Sequence, residues 1–470
     1  MKGILLLFSR FAVSLALMGV LLTGCTQDPQ IPNNQHIDYS HVAIGADIPL
    51  EWYKLYLDLD RFTDGVRVTN SAWIIARISL SAYEAVIPGY SSHYGSVAHQ
   101  ISGLRVPQHT PTLEYNWEIV ANSAFETAFR LYFKTAPADL QNRMTSLAQR
   151  LYRNIESGVD PQVRFRSRSH GKAVAESVFA WAQNDSEGHE SYYTNYDPNY
   201  IPPGGKGKWS PTYPDYLSAL HPHWGDARTF VATKADRVPD PLPYSENPNS
   251  ELYKQALETQ QIVNQIKDDK LKEDHWIAQF WSDDCSTLTF SPSGRWLSIT
   301  NQIFQANPQP LDLVLSVYTK LGMALNDAGV RAWGEKYRYN YLRPVDYIRN
   351  VMQDDWNSLM CPDGTGRFFT PEFPSYPSGH ATFGAAAAEV LTQTMGYNYE
   401  MLDNSHRGRT EFNGTPRRFK NFYEMAEENA YSRIPIGVHF RMDSEAGLAL
   451  GYKIGWKVCN DIKWTKGFYN

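Results

Sequence analysis

Cysteine is scarce in this chain: four among 470 residues, Cys25, Cys285, Cys361 and Cys459. No two stand at metal-ligand spacing, so thiolate zinc and iron–sulfur sites are excluded, as is a disulfide-dense small scaffold. Long apolar runs are also lacking. The longest, Phe11–Leu22, is too short to span a bilayer comfortably, and nothing later reaches 18 apolar residues. An integral membrane protein is therefore not expected. Charge of one sign is absent too: 44 basic against 50 acidic residues give a net charge of −6, without the basic field that nucleic acid requires. There are no alternating strand patterns and no repeat of 20–50 residues.

What is present is helical periodicity and aromatic bulk. The chain carries 29 Tyr and 13 Trp, which bury much area and keep polar handles. Leu140, Met144, Leu147, Ala148, Leu151, Tyr152 and Ile155 fall at gaps of three and four, one buried helical face. Similar patterns predict helices over about 66–88, 112–133, 164–184, 250–279, 311–337, 381–395 and 443–458. Residues 185–249 hold ten prolines, which exclude long helices and predict a long ordered connection or flexible loop. The fold class is all-α. The expected organisation is an N-terminal helical bundle over 46–190, a Pro-rich connection over 191–249 and a C-terminal helical bundle over 250–470. Gly447, Gly451 and Gly455 form a ridge at every fourth residue. Lys453 and Lys457 interrupt it, which favours close packing on a soluble helix over a membrane contact.

The N-terminus reads as an export signal over 1–24, with Lys2 and Arg10 before the apolar run. Leu22-Thr23-Gly24-Cys25 resembles a bacterial lipoprotein site, with Cys25 lipidated, 25–45 a polar tether, and acyl chains the only membrane attachment. An ordinary secretory signal with a chance cysteine is the alternative. Thr26 carries no retention charge, which favours an outer membrane or cell surface. Among the remaining cysteines one disulfide can form, with the pair left open.

Three segments carry chemistry: Lys336 with Arg343-Pro344, then Pro377-Ser378-Gly379-His380, then Arg433 with His439 and Asp443. Pro344 suits the first position of a helix. Ser378-Gly379 opens another helix, whose N-terminus presents free N–H groups to an anion. Lys336, Arg343 and Arg433 add charged donors suited to an oxyanion. His380 and His439 supply two imidazoles, and Asp443, one turn after His439, can fix its tautomer. Each residue alone has an ordinary reading: a solvated charge, a helix cap, a structural histidine pair. Their joint occurrence does not, since Pro-Ser-Gly-His alone arises by chance on the order of once per few hundred chains of this length.

These segments resemble the signature of the type-2 phosphatidic acid phosphatase and vanadium haloperoxidase superfamily, here over 336–443. Ala72-Trp73-Ile74-Ile75-Ala76-Arg77, Tyr83-Glu84-Ala85, Ala278-Gln279-Phe280-Trp281-Ser282-Asp283 and Phe373-Pro374-Ser375-Tyr376-Pro377 are similar to bacterial vanadium haloperoxidases. The resemblance implies vanadate as cofactor, with phosphate fitting the same site. It assigns the metal to His439 and the oxygens to Lys336, Arg343, Ser378, Gly379 and Arg433. His380 would move protons, Asp443 would orient His439, Trp333 and Phe373 would wall the site, and Asp283 or Asp284 would pair with Arg433. The implied reaction oxidises halide with hydrogen peroxide to hypohalous acid, iodide and bromide ahead of chloride, with vanadate acting as a Lewis acid. The same cage suits an acid phosphatase that forms a phosphohistidine at His439. A third reading is a non-catalytic, oxyanion-binding lipoprotein. Oligomeric state and organic substrates stay open.

Overall fold

In the computed structural model, residues 45–285, 287–361 and 368–467 are described. The expectations for 1–24, Cys25 and most of the 25–45 tether fall outside them. Thirteen α-helices make up the fold among the described residues: α1 (Asp47–Phe62), α2 (Val68–Tyr90), α3 (Trp117–Tyr132), α4 (Ala138–Ile155), α5 (Pro161–Ala182), α6 (Glu251–Lys267), α7 (Lys272–Phe280), α8 (Pro292–Ala306), α9 (Leu311–Tyr339), α10 (Pro344–Val351), α11 (Gly379–Met395), α12 (Phe422–Tyr431) and α13 (Arg441–Asn460). One antiparallel hairpin, β1 (Met401–Asp403) with β2 (Arg417–Phe419), pairs Met401 with Phe419.

Helices α2 and α9 form the centre. Every residue of α2 from Val68 to Ile87 is buried, so it shows no amphipathic stripe and must be covered on all sides. It packs on α3, α5, α8 and α9. One apolar core therefore runs from Trp52 and Tyr53 through Ile75 and Leu321 to Phe383, drawing on helices from both halves of the chain. In contrast, α4 buries only Leu140, Met144, Leu147, Ala148, Leu151 and Tyr152, the one-sided face its sequence announces.

The Pro-rich connection is ordered, with only short 3-10 turns such as Ser191–Tyr193 and Trp224–Asp226. Two buried acids, one on α9 and one just past α5, hold it by its backbone. The Asp327 carboxylate of α9 accepts from the N–H groups of Phe230, Val231 and Ala232 at 2.8 Å each. Asp185 accepts from Trp73 Nε1 at 2.7 Å and from the Arg228 N–H at 3.1 Å. Such bonds replace the ladder that proline removes.

Two expectations need correction. The helix expected over 250–279 is broken into α6 and α7, because Asp269 turns into the left-handed region at φ 58°. Helices α1, α8 and α12 lie outside the predicted spans; α8 is buried from Pro292 to Ile299 and so lacks a one-sided stripe. The glycine ridge behaves as its spacing implies. A Cβ on Gly447 would meet the Ser378 carbonyl oxygen at 2.6 Å, and one on Gly451 the Thr382 carbonyl oxygen at 2.3 Å. Helix α13 thus lies backbone to backbone on α11, the helix whose first turn holds Ser378 and His380.

Candidate active site

The predicted charged and histidine residues stand at helix ends, and Phe373 lies in the segment that leads into α11. Trp333 and Lys336 lie in the last turns of α9, which stops at Asn340 in the left-handed conformation, φ 49°. Arg343 is the N-cap of α10, with Pro344 at its first position. Ser378 caps α11, and its hydroxyl faces the Ala381 N–H at 3.4 Å. Arg433 follows α12, and His439 precedes α13, whose third residue is Asp443. The fold brings these ends together around a small enclosed cavity of about 10 Å³, lined by Trp333, Phe373, Gly379, His380, Arg433 and His439 among others.

His439 is held from behind. Its Nδ1 lies 2.9 Å from Asp443 Oδ2, which also accepts from the Ser375 hydroxyl at 2.5 Å and the Phe440 N–H at 3.1 Å. With its Nδ1 proton given to Asp443, the ring keeps a bare Nε2, and Arg343 Nη1 stands 3.3 Å from it. Burial and the neighbouring cations Arg343 and Lys336 hold the imidazole neutral, well below its ordinary pKa. Burial pushes the Asp443 carboxyl upward, against the Ser375 hydroxyl and the Lys336 charge.

The three cations are fully buried. Lys336 Nζ donates to the carbonyls of Pro374 at 2.9 Å and Ser375 at 2.8 Å, leaving its third proton. It lies 5.6 and 5.1 Å from the ring centres of Trp333 and Phe373. Arg343 donates to the carbonyls of Phe373 and Val438, both at 2.9 Å, yet its Nη2 has no partner. In Arg433 the Nε, Nη1 and Nη2 atoms are all unpartnered among the described residues. Burial lowers both guanidinium groups to about 10. The His380 ring lies against the backbone of Asp283, and its Nε2 has no partner among the described residues; burial and Arg433 depress its pKa well below 6.5.

Orphaned donors of this density are rare in a protein interior, where nine in ten buried polar groups or more are bonded. They fit one guest: a compact oxyanion with a central atom open to His439 Nε2. Gly379 belongs to the fit, since a Cβ there would lie 3.2 Å from Trp333 and 3.9 Å from Lys336 Cε. Two details differ from the sequence reading. Arg433 is not paired with Asp283, whose carboxylate instead takes Arg295 at 3.1 Å on both oxygens. Asp284 lines the cavity without bonding Arg433 in the described contacts. Ser375 was given no role; its sequence context, a serine between prolines and aromatics, carries no chemical signal.

Comparison with known proteins agrees with this geometry. The family described as the VCPO second helical-bundle domain matches residues 316–465. A vanadium chloroperoxidase of Curvularia inaequalis is 28% identical over 218 aligned positions, which cover 36% of this chain and 36% of that relative. The solved structure of a bacterial vanadium-dependent iodoperoxidase matches with a TM-score of 0.78 and 27% identity, over 90% of this chain and 98% of its own. A holo-type bacterial vanadium-dependent chloroperoxidase matches at a TM-score of 0.62 and 16% identity over 83% of this chain and 91% of its own, a likeness of fold alone. Motif, cage and fold agree in their likeness to the vanadium haloperoxidases.

Proposed function

We propose that this protein is a vanadate-dependent haloperoxidase that uses hydrogen peroxide to oxidise halide to hypohalous acid, iodide and bromide more readily than chloride. The observation that carries the proposal is the buried guanidinium of Arg433, with three unpartnered nitrogens facing the same cavity as the bare His439 Nε2. Vanadate, when bound, supplies a Lewis acid that activates peroxide without changing its own oxidation state. His439 would hold the metal, and Lys336, Arg343, Ser378, the Gly379 N–H and Arg433 would hold the oxygens. His380, neutral and with its Nε2 free, is poised to take a proton from incoming peroxide and return it to the departing product. Lys336, with two donors spent on the Pro374 and Ser375 carbonyls, would aim its remaining donor at an oxygen of the bound group and make it more electrophilic. Trp333 and Phe373, ring centres 4.7 Å apart, exclude water and keep these charges strong.

The preference for iodide and bromide follows from their easier oxidation, and the iodoperoxidase likeness supports it. Export and lipid attachment at Cys25 belong to the same proposal; no described helix is long and apolar enough to cross a membrane. If Cys25→Ser leaves the protein equally membrane-bound, the anchor is elsewhere. The decisive experiment compares vanadate-free and vanadate-loaded protein for peroxide-dependent triiodide formation and for phosphate-ester hydrolysis. Triiodide only in the loaded protein is the expected result. Hydrolysis without vanadate and no oxidation of any halide would instead make His439 a phosphoryl nucleophile and His380 the acid. Neither activity would leave an oxyanion-binding lipoprotein.

A further inference from the structure

A second cavity, of about 380 Å³, opens beside the active site, near the lower end of the range for small-molecule pockets. Leu288, Leu359, Phe368 and Phe412 line it, each half-buried, so their exposed faces are turned to one space. Lys267 stands at its mouth. Its ammonium spends one donor on the Asn357 carbonyl at 2.7 Å and lies 5.7 and 6.0 Å from the ring centres of Trp356 and Phe368. No carboxylate lies within ion-pair distance of it among the described residues. The acid that also lines the cavity, Glu411, is already held by Arg409 at 3.0 and 3.1 Å. Apolar and aromatic side chains share the lining with His275, Gln279, Ser282 and Thr289. The Lys267 ammonium feels the charge of Asp355 without an ion pair, and the set fits a guest with a ring at one end and a single negative charge at the other.

The position matters as much as the chemistry. Ala278, which lines this cavity, belongs to one apolar cluster with Met360 and Val438, which line the catalytic cavity. Leu288 and Leu359 pack against that same cluster. One apolar cluster thus borders both spaces.

We propose that this second cavity binds an aromatic carboxylic acid, its carboxylate at Lys267 and its ring against Phe368 and Phe412, as the acceptor of oxidised halogen. The acceptor role rests on the haloperoxidase reading; the binding site does not. In the acceptor step an electron pair of the ring attacks the halogen of hypohalous acid and forms the C–X bond. The X–O bond breaks, and the displaced ring proton joins the hydroxide to give water.

The probe is 3-(4-hydroxyphenyl)propionate, titrated calorimetrically into the purified protein without vanadate. Wild type binds it, and its primary amide, nearly equal in shape and uncharged, binds about tenfold more weakly or worse, the value of a lost charge-assisted hydrogen bond. Lys267→Gln weakens the acid by a similar factor while Lys267→Arg stays within about threefold of wild type. Leu288→Trp, which fills the cavity, abolishes binding. Unchanged melting temperatures show that the variants are folded. With vanadate, peroxide and bromide added, Lys267→Gln raises the KM for bromination of the acid and leaves its kcat unchanged. Failure of wild type to bind the acid at millimolar concentration, or equal affinity in wild type and Lys267→Gln, overturns the site. Lys267-dependent binding in a protein that oxidises no halide upholds the site and overturns the haloperoxidase reading.

Discussion

At the scale of single residues, the cage is built for a guest at the expense of the empty protein. Arg433 is a buried charge with no hydrogen-bond partner, and such a group costs several kcal/mol when uncompensated, on the order of the penalty for a broken buried ion pair. Arg433→Met is therefore expected to raise the melting temperature of vanadate-free protein while weakening vanadate binding at least about tenfold. Melting curves with and without vanadate check both signs; a variant that melts lower in the free form, or binds as wild type does, removes Arg433 from the cage. The two histidines divide differently. His439→Ala is expected to abolish vanadium retention measured by elemental analysis, whereas His380→Ala retains vanadium and loses most halide oxidation, because the cations survive. Equal vanadium loss in both would contradict this division of roles. These residues were legible in the sequence because the chemistry demands particular side chains at helix ends. Ser375 was not, because its importance arises only where the chain returns and sets its hydroxyl 2.5 Å from Asp443.

Among elements, legibility tracks how one-sided the burial is. Helix α4 shows its face in the sequence, while α8, covered on nearly all sides, does not. The glycine ridge of α13 was legible for a different reason: spacing of four leaves only one surface without side chains. Gly451→Val is expected to destabilise the protein by about 1–3 kcal/mol through overpacking against α11, as measured by urea denaturation. Gly204→Ala, with nothing within 4 Å of the added carbon, is the neutral control. The Pro-rich connection gave no periodic signal, since it is fixed by long-range bonds rather than by its own pattern. His221 is one of these: Nδ1 bonds the Thr69 hydroxyl of α2, and Nε2 lies 3.3 Å from the Ser191 carbonyl. Burial lowers its pKa from 6.5 to about 4. Between those values the unfolded chain takes the proton and the folded protein does not. Stability is therefore complete above pH 6.5 and falls as the pH drops toward 4, by on the order of 2–3 kcal/mol from this group. His221→Gln cannot take up that proton, so its stability should fall less steeply over the same range; parallel slopes would show that His221 does not drive it.

For the whole molecule, the question is how sites far apart in sequence are kept at fixed distance. Helix α9 runs from the central core, where it meets α2, to the cavity, where it ends in Trp333 and Lys336. The opposite wall lacks such a strut. It is tied by the Cys285–Cys361 disulfide, across a sequence separation of 76 residues. The sequence left that pairing open because three cysteines without coordinates have no geometry; Cys459 is the one left free, half-buried in α13. Each bridged cysteine directly follows a cavity residue, Asp284 and Met360, and the His380 ring lies against the backbone of Asp283. The disulfide thus joins two segments that contribute to the cavity wall and hold the proton-moving histidine in place. Closing so long a loop stabilises by about 4–5 kcal/mol in the chain-entropy account, and a general staple would do no more than that. A staple that also shapes the wall has a second effect. The Cys285→Ser/Cys361→Ser double variant is expected both to melt lower and to bind vanadate several-fold more weakly at a temperature where it is fully folded, with halide oxidation falling further because His380 loses its fixed orientation. Lower melting with vanadate affinity and kcat intact would assign the bridge to stability alone and leave the wall to Met360, Val438 and their apolar neighbours.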